Sequence, residues 1–190
     1  VVIALDVSKS MLATDLAPNR LERAKQFIGK LMNAMPNDRI GLVLFAGKAY
    51  LQMPLTTDHG AAGMFVSSAG PDAVPQQGTV VSEAIRRSAN AFNAAERRFK
   101  AVVLISDGED HDPEAVNTAK ELSEHGMMIN TVGIGSAEGS YIPDPATGQR
   151  HHLEPMWIVE GDRVAQHAVQ DPARHRGITG FLEKGREGWE

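Results

Sequence analysis

The chain has 190 residues, of which 42% are hydrophobic and 23% charged, with a formal net charge of −5 and no cysteine. That length suits one domain, residues 1–190, with a sizeable core; the scattered basic residues, Arg86-Arg87 and Arg97-Arg98 among them, do not suggest the basic face of a nucleic-acid binder, and the missing cysteine excludes disulfides and thiolate chemistry. No apolar run approaches the roughly 20 residues of a membrane span, and because the chain opens on Val1 within an apolar run it reads as an excised fragment, so that the absence of an anchor or signal segment here means nothing.

Residues 1–7 are apolar almost throughout and predict a strand buried on both faces, the pattern of a parallel sheet. Leu21, Ala24, Ile28, Leu31 and Met35 then recur at steps of three and four, an amphipathic helix that Pro36 ends. A second buried strand is expected over 40–46, and residues 48–54, directly after Gly47, predict its antiparallel hairpin partner at a sheet edge. A short helix is expected over 58–68, and a longer one where Val81, Ala84, Ser88, Phe92 and Ala95 share a face. Residues 101–106 predict a third buried strand. Ala115, Ala119 and Leu122 mark a helix for which Asp112-Pro113 is a fitting N-cap and first-turn pair. Residues 127–134, after the helix-stopping Gly126, predict a further parallel strand. From His151 the signal fades, and residues 156–159 and 162–169 are a candidate last strand and last helix in a polar stretch punctuated by Gly and Pro. The alternation predicts an α/β doubly wound domain, a Rossmann-like three-layer sandwich whose mostly parallel central sheet has one antiparallel edge strand.

Three polar clusters fall beyond the carboxyl ends of predicted strands, where open α/β sheets bind ligands. Asp6-Val7-Ser8-Lys9-Ser10 ends the first strand with a carboxylate and two hydroxyls at alternate positions. Such hard oxygen donors suit Mg²⁺, which takes ligands at about 2.0–2.1 Å in near-octahedral geometry. They also suit the start of a helix, where they satisfy backbone N–H groups. Gln77-Gly78-Thr79 precedes the helix from Val81, and Thr79 either adds an oxygen at this edge or serves as an N-cap. Ser106-Asp107-Gly108-Glu109-Asp110 ends the strand over 101–106, where Asp107-Gly108 either joins the site or makes a tight turn. If that strand and the first are neighbours across the switch point, the three clusters meet at one spot, with Gly78 and Gly108 giving the backbone freedom beside Thr79 and Asp107.

The pattern Asp6-x-Ser8-x-Ser10, then Thr79, then Asp107 in a strand-ending Ile-Ser-Asp-Gly resembles the metal-ion-dependent adhesion site of von Willebrand factor A domains. Met11, Asp15, Arg20-Leu21, Gly41-Leu42-Val43 with Phe45, Pro54-Leu55-Thr56 with Asp58, and Gly133-Ile134-Gly135 further resemble the Bat-type aerotolerance proteins, a membrane-anchored bacterial branch of that family. The resemblance runs from Val1 to about Gly148. It implies that Ser8, Ser10 and Thr79 bind a divalent cation, Mg²⁺ or Mn²⁺, directly through their hydroxyls. Asp6 and Asp107 would hold it through waters or hydrogen bonds, with direct contact in one of the family's conformations. A cation with few carboxylate ligands and one open position would then draw an Asp or Glu from a partner protein. The implied role is a metal-dependent protein–protein interaction or adhesion module of the bacterial envelope, not an enzyme. The implied partners are MoxR-type ATPases and other Bat proteins, and the implied attachment to the inner membrane, on its periplasmic or cytoplasmic face, is through anchors outside this chain. Two features depart from the pattern. Lys9 stands where many members carry a small residue, and either favours an acidic partner or points to solvent. The stretch after Gly148 does not resemble the closing strand and helix of the Bat-type branch.

Other readings compete. A haloacid-dehalogenase-like phosphatase or phosphotransferase also places a nucleophilic Asp at the end of the first strand, where Asp6 stands. Such enzymes carry a second Asp two residues later as general acid, however, and Ser8 at that place cannot donate a proton usefully near neutral pH. A structural scaffold with a vacant site is a third reading. Glu109-Asp110-His111-Asp112 invites a second-metal or catalytic reading but fits better a solvated loop before a capped helix; His151-His152 is a weak metal pair that fits better an exposed loop, and Gly133-Ile134-Gly135-Ser136 is a turn that lacks the dinucleotide fingerprint. The phosphate-binding G-x-x-x-x-G-K-[ST] and nucleophile-elbow G-x-S-x-G motifs are absent from the sequence.

Overall fold

Apolar runs in the sequence become the inner strands of one sheet. The computed structural model describes residues 1–93, 99–108 and 112–136, together with the backbone of 140–143 and 150–153. Its main sheet comprises β1 (Val2–Asp6), β2 (Ile40–Phe45), β3 (Ala49–Thr56), β4 (Lys100–Ser106) and β5 (Met127–Gly133), in the order β3-β2-β1-β4-β5. β1 pairs in parallel with both β2 and β4, and β5 is parallel to β4. Every residue of β1 and β2 is buried, as strands covered on both faces require. β3 runs antiparallel to β2 at the edge and is mostly half-buried or exposed.

Because side chains alternate across a strand, the sheet feeds two separate cores. Ile3, Leu5, Leu42, Leu44, Val103 and Ile105 face one way, against Leu21, Ile28 and Leu31 of α1 (Arg20–Ala34) and Ala62 and Val66 of α2 (His59–Ser68). Val2, Ala4, Val43, Phe45, Val102 and Leu104 face the other way, against Val81, Ala84 and Ile85 of α3 (Val81–Asn90) and Ala119 of α4 (Ala115–Glu124). Two helices on each face give the predicted three layers. The caps follow local chemistry: the Asn19 side chain accepts from the Glu22 N–H at 2.8 Å, and Asp58 from the Ala61 N–H at 2.9 Å, each satisfying a donor that the first helical turn leaves unpaired. From β1 the chain fills the sheet first toward β2 and β3, then crosses to β4 and β5. The strand order therefore reverses between β1 and β4, and the carboxyl ends of those two strands form the switch point.

Three expectations need correction. Asp112 is not the N-cap of α4, because a turn intervenes: the Ala115 N–H bonds the Asp112 carbonyl, and Glu114 takes the cap position with helical backbone angles. The Asp112 carboxylate instead accepts from the Glu114 N–H and, across the chain, from the Ser82 N–H in the first turn of α3, both at 2.9 Å. Thr79 is likewise not a cap, since Val80 holds that place in α3. Finally, His151-His152 lie in a strand: β6 (Ser140–Pro143) and β7 (Arg150–Leu153) form an antiparallel pair with Tyr141 opposite His152 and Ile142 opposite His151. The turn formers Asp144-Pro145 and Gly148 between two short runs are the hairpin signal the sequence carries. The α3 helix ends at Asn90, so Phe92, expected on its face, lies past the helix end, and Ala95 lies outside the described residues. So do Glu109, Asp110, His111, the candidate strand 156–159 and the candidate helix 162–169. Among the described residues no helix is long and apolar enough to cross a membrane.

Candidate metal centre

The carboxyl end of β1 turns on its own side chain. Asp6 Oδ1 accepts from the Ser8 N–H at 2.8 Å, a local side-chain bond that replaces the sheet ladder and bends the strand into a 3-10 turn over Lys9–Leu12. The turn leaves Lys9 exposed and buries Ser8 and Ser10. The two hydroxyls hydrogen-bond each other, with their oxygens 2.9 Å apart. Asp6 Oδ2 accepts from the Ser106 hydroxyl at 2.7 Å, which ties the end of β1 to the end of β4.

Thr79 reaches this edge through the end of β2. The Gly47 N–H bonds the Gln76 carbonyl and the Val80 N–H bonds the Ala46 carbonyl, each at 3.0 Å, so residues 76–80 lie along the chain that leaves β2. Glycine is required on both sides of this contact. A Cβ at Gly47 would strike the Gln77 backbone, and Gly78 has φ of +121°, a left-handed conformation that side chains oppose. Asp112 already serves the first turn of α3, so the half-buried Thr79 hydroxyl is not committed to capping that helix.

Asp107 follows β4 and is 1% exposed. Its Oδ2 accepts from Arg20 Nη1 at 3.0 Å. Arg20 spends its remaining fork on Asp15, with Nε to Oδ1 at 2.9 Å and Nη2 to Oδ2 at 3.0 Å. Asp15 Oδ2 also accepts from the Ser136 N–H, just beyond β5, at 2.7 Å. Arg20 and Ser106 are structural partners whose pairing with Asp107 and Asp6 is not visible in the sequence motif. Arg20 did carry a signal: it is a basic residue at the first position of a helix, where the helix dipole disfavours positive charge unless something specific repays it.

The electrostatics of the edge are unbalanced. Burial raises the Asp6 carboxyl, and the charge of Asp107 raises it further. The hydrogen bonds from Ser106 and Ser8 pull the other way without prevailing, and the group is pushed up to about 7. Asp15 differs: burial pushes it up, but the Arg20 fork and the Ser136 N–H outweigh burial and hold it below the usual carboxylate range. Asp15 and Asp107 thus share the Arg20 guanidinium, whereas Asp6, beside Asp107, is held by the Ser8 N–H and the Ser106 hydroxyl, and a divalent cation at this edge would favour its charged form. The carboxylates do not converge as a cage: among the described residues no group of three or more His, Asp or Glu is arranged to hold a metal. Direct donors here would be hydroxyls. The 2.9 Å between Ser8 Oγ and Ser10 Oγ fits two neighbouring corners of an octahedron with bonds of about 2.1 Å, which are about 3 Å apart. The donor set therefore fits Mg²⁺ or Mn²⁺. Of the five expected residues, the structure brings Asp6, Ser8, Ser10 and Asp107 to the adjoining ends of β1 and β4, and Thr79 to the end of β2 beside them.

The family model of the von Willebrand factor type A domain matches residues 1–109. The crystal structure of the conserved hypothetical protein BatB from Bacteroides thetaiotaomicron is 32% identical, covers 98% of each chain and superposes with a TM-score of 0.83. An aerotolerance-related membrane protein from Bacteroides fragilis NCTC 9343 is 34% identical over 96% of this chain and 98% of its own, with a TM-score of 0.82. A UPF0353 protein of Mycolicibacterium paratuberculosis is 33% identical over 170 residues, 78% of this chain. The chain spans about half the length of the curated relatives it matches, 50% and 46% for two of them. Proximal thread matrix protein 1 of the mussel byssus, solved with a zinc-occupied adhesion-type metal motif, is similar in fold alone, at 19% identity and a TM-score of 0.59 over 71% of this chain and 35% of its own. With residues 1–109 matched by the family model and the whole sheet matched by the two Bacteroides structures, this chain belongs to the von Willebrand factor type A domain family and within it is similar to the Bat-type, aerotolerance-related proteins.

Proposed function

We propose that this chain is a metal-dependent protein–protein interaction module of a bacterial envelope protein, in which Ser8, Ser10 and Thr79 hold Mg²⁺ or Mn²⁺ with Asp6 and Asp107 behind them. The observation that carries this reading is the buried pair Asp6 and Asp107 at the switch point, of which only Asp107 is paired with a guanidinium, beside two serine hydroxyls whose oxygens stand 2.9 Å apart. When bound, the cation supplies a Lewis-acidic point that an external carboxylate can occupy. The chain's own residues prepare that point. Asp6 fixes the turn that sets the two serines side by side, Ser106 holds the other Asp6 oxygen, and Arg20 holds Asp107. Hydroxyl donors carry no charge, so ligation through them leaves the site attractive to an Asp or Glu from a partner.

Binding is favoured over turnover. Asp6 has no exposed surface and both its oxygens already accept hydrogen bonds, which leaves a poor nucleophile, and Ser8 stands where a phosphatase of the competing class needs a general acid. The Bat-type likeness supports MoxR-type ATPases or other Bat proteins as partners. The membrane-protein description of the Bacteroides fragilis neighbour supports anchoring to the inner membrane through parts of a longer protein.

Calorimetric titration of chelator-treated protein with MgCl₂ and MnCl₂ tests the reading. One site is expected in the wild type, lost in the Ser8→Ala/Ser10→Ala double variant and in Thr79→Ala, with the circular dichroism of all three unchanged. Variants that bind the metal as the wild type does would overturn it. So would a wild type without heat of binding or thermal shift, which favours a scaffold, or Asp6-dependent hydrolysis of para-nitrophenyl phosphate, which favours the phosphatase.

A further inference from the structure

The guanidinium behind Asp107 is built with more care than charge balance needs. Arg20 is 1% exposed, and its backbone N–H is itself fixed by the Ala13 carbonyl at 3.0 Å. It opens α1, whose cap Asn19 sets the direction of the first turn. Two of its N–H groups grip both oxygens of Asp15 while a third reaches Asp107. Asp15 is in turn pinned by the Ser136 N–H. A planar fork held at two carboxylates cannot swing, in contrast to the point charge of a lysine. Asp107 is therefore tethered through Oδ2 to a support that reaches the end of β5.

We propose that Arg20, locked by Asp15, is a positioning residue that sets the cation selectivity of this edge by keeping Asp107 back from direct coordination; the inference rests on the metal reading above and deepens it. The chemistry follows from what the two common hard cations require. Mg²⁺ takes six donors in tight octahedral geometry and keeps several waters, whereas Ca²⁺ takes six to eight oxygens at about 2.3–2.6 Å and favours carboxylates that can close on it, often with both oxygens. A carboxylate held back by a guanidinium leaves hydroxyls and water as the near ligands, the smaller and more rigid set. A released Asp107 can move in, and the site becomes larger, more flexible and more acidic at close range, which suits Ca²⁺.

The test is the ratio of Ca²⁺ to Mg²⁺ dissociation constants, measured by calorimetry on the full chain after chelator treatment, with unfolding temperatures in EDTA as a check on the fold. Arg20→Lys keeps the charge and removes the fork. Asp15→Asn keeps Arg20 and loosens it. In both variants Mg²⁺ affinity is expected to fall about 10–100-fold, the usual cost of losing a group that orients a metal ligand, while Ca²⁺ affinity falls by a smaller factor or rises. A purely structural role for Arg20 would weaken both cations alike, and equal factors in the two variants would overturn the proposal. A wild type that binds Ca²⁺ as tightly as Mg²⁺ would overturn it with no variant needed. A wild type that binds neither would instead sink the metal reading itself, and this inference with it.

Discussion

The two halves of the first strand are equally buried and chemically opposite. Val2, Ile3, Ala4 and Leu5 have no exposed surface, and neither has Asp6, with Ser8 at 4% and Ser10 at 6% just beyond it. Burial of the first half is favourable in itself, since its side chains enter the two cores on either face of the sheet. Burial of the second half is costly, because charge leaves water, and hydrogen bonds from Ser8 and Ser106 compensate Asp6 only in part. One strand thus ends in apolar core at one end and in a buried carboxyl with a raised pKa at the other. The two ends should therefore respond to different perturbations.

The largest expected effect breaks the apolar end. Leu5→Ala removes a fully buried side chain from the core beneath α1 and should cost about 2–5 kcal/mol, the range for such truncations. Urea unfolding would measure it, and the loss should be the same in EDTA and in saturating Mg²⁺. A loss that depends strongly on Mg²⁺ would mean that the two halves are not separable.

How the sequence reads follows the same division. The apolar half was legible because periodicity reports burial directly: the runs over 1–7, 40–46 and 101–106 became β1, β2 and β4, and the step of three and four from Leu21 became α1. The polar half was legible where it is local, as in Asp6, Ser8 and Ser10 within five residues. It was not legible where the partner is distant. Arg20 meets Asp107 across 87 positions and Asp15 meets Ser136 across 121, and no period or motif encodes such a pairing. Asp112 misled for a related reason: its residue type is that of a cap, but beyond the turn N–H of Glu114 the helix N–H it reaches belongs to α3, 30 residues earlier.

A smaller effect separates the polar end by pH. With Asp6 held near 7 in the folded chain and at its ordinary value of 3.8 when unfolded, the folded state retains a proton that the unfolded state has lost anywhere between those values. Its contribution to stability is therefore fully present below about pH 4 and is lost as pH rises through 7. Asp6→Asn should remove this dependence. At pH 8 in EDTA it should stabilise the chain on the order of 1–3 kcal/mol, the scale of an imperfectly compensated buried polar group, and at pH 4 it should do nothing of the kind. Mg²⁺ should raise the unfolding temperature of the wild type more at pH 8 than at pH 6, and that of Asp6→Asn less at either. A wild type whose Asp6-linked stability rose with pH would show the carboxylate to be well compensated without a metal.

The smallest effect probes whether the scaffold and the edge communicate. Gly29 in α1 and Gly63 in α2 line the open groove between those helices with Met32 and Val66, and a Cβ at either meets no atom within 4 Å. Neither has a positive φ, so each weakens its helix without a steric reason. Gly29→Ala and Gly63→Ala should each stabilise by about 0.5–1 kcal/mol through helix propensity. The informative quantity is the Mg²⁺-induced shift that remains. The side-chain bonds of Ser67 and Ser68 in α2 stay within that helix, whereas α1 begins with the arginine that holds Asp107. If both alanine variants keep the wild-type shift, the edge answers only to groups that touch it. If Gly29→Ala alone changes the shift, then stiffening α1 reaches Asp107 through Arg20, and the boundary between scaffold and site runs through the first turn of that helix and not through the middle of β1.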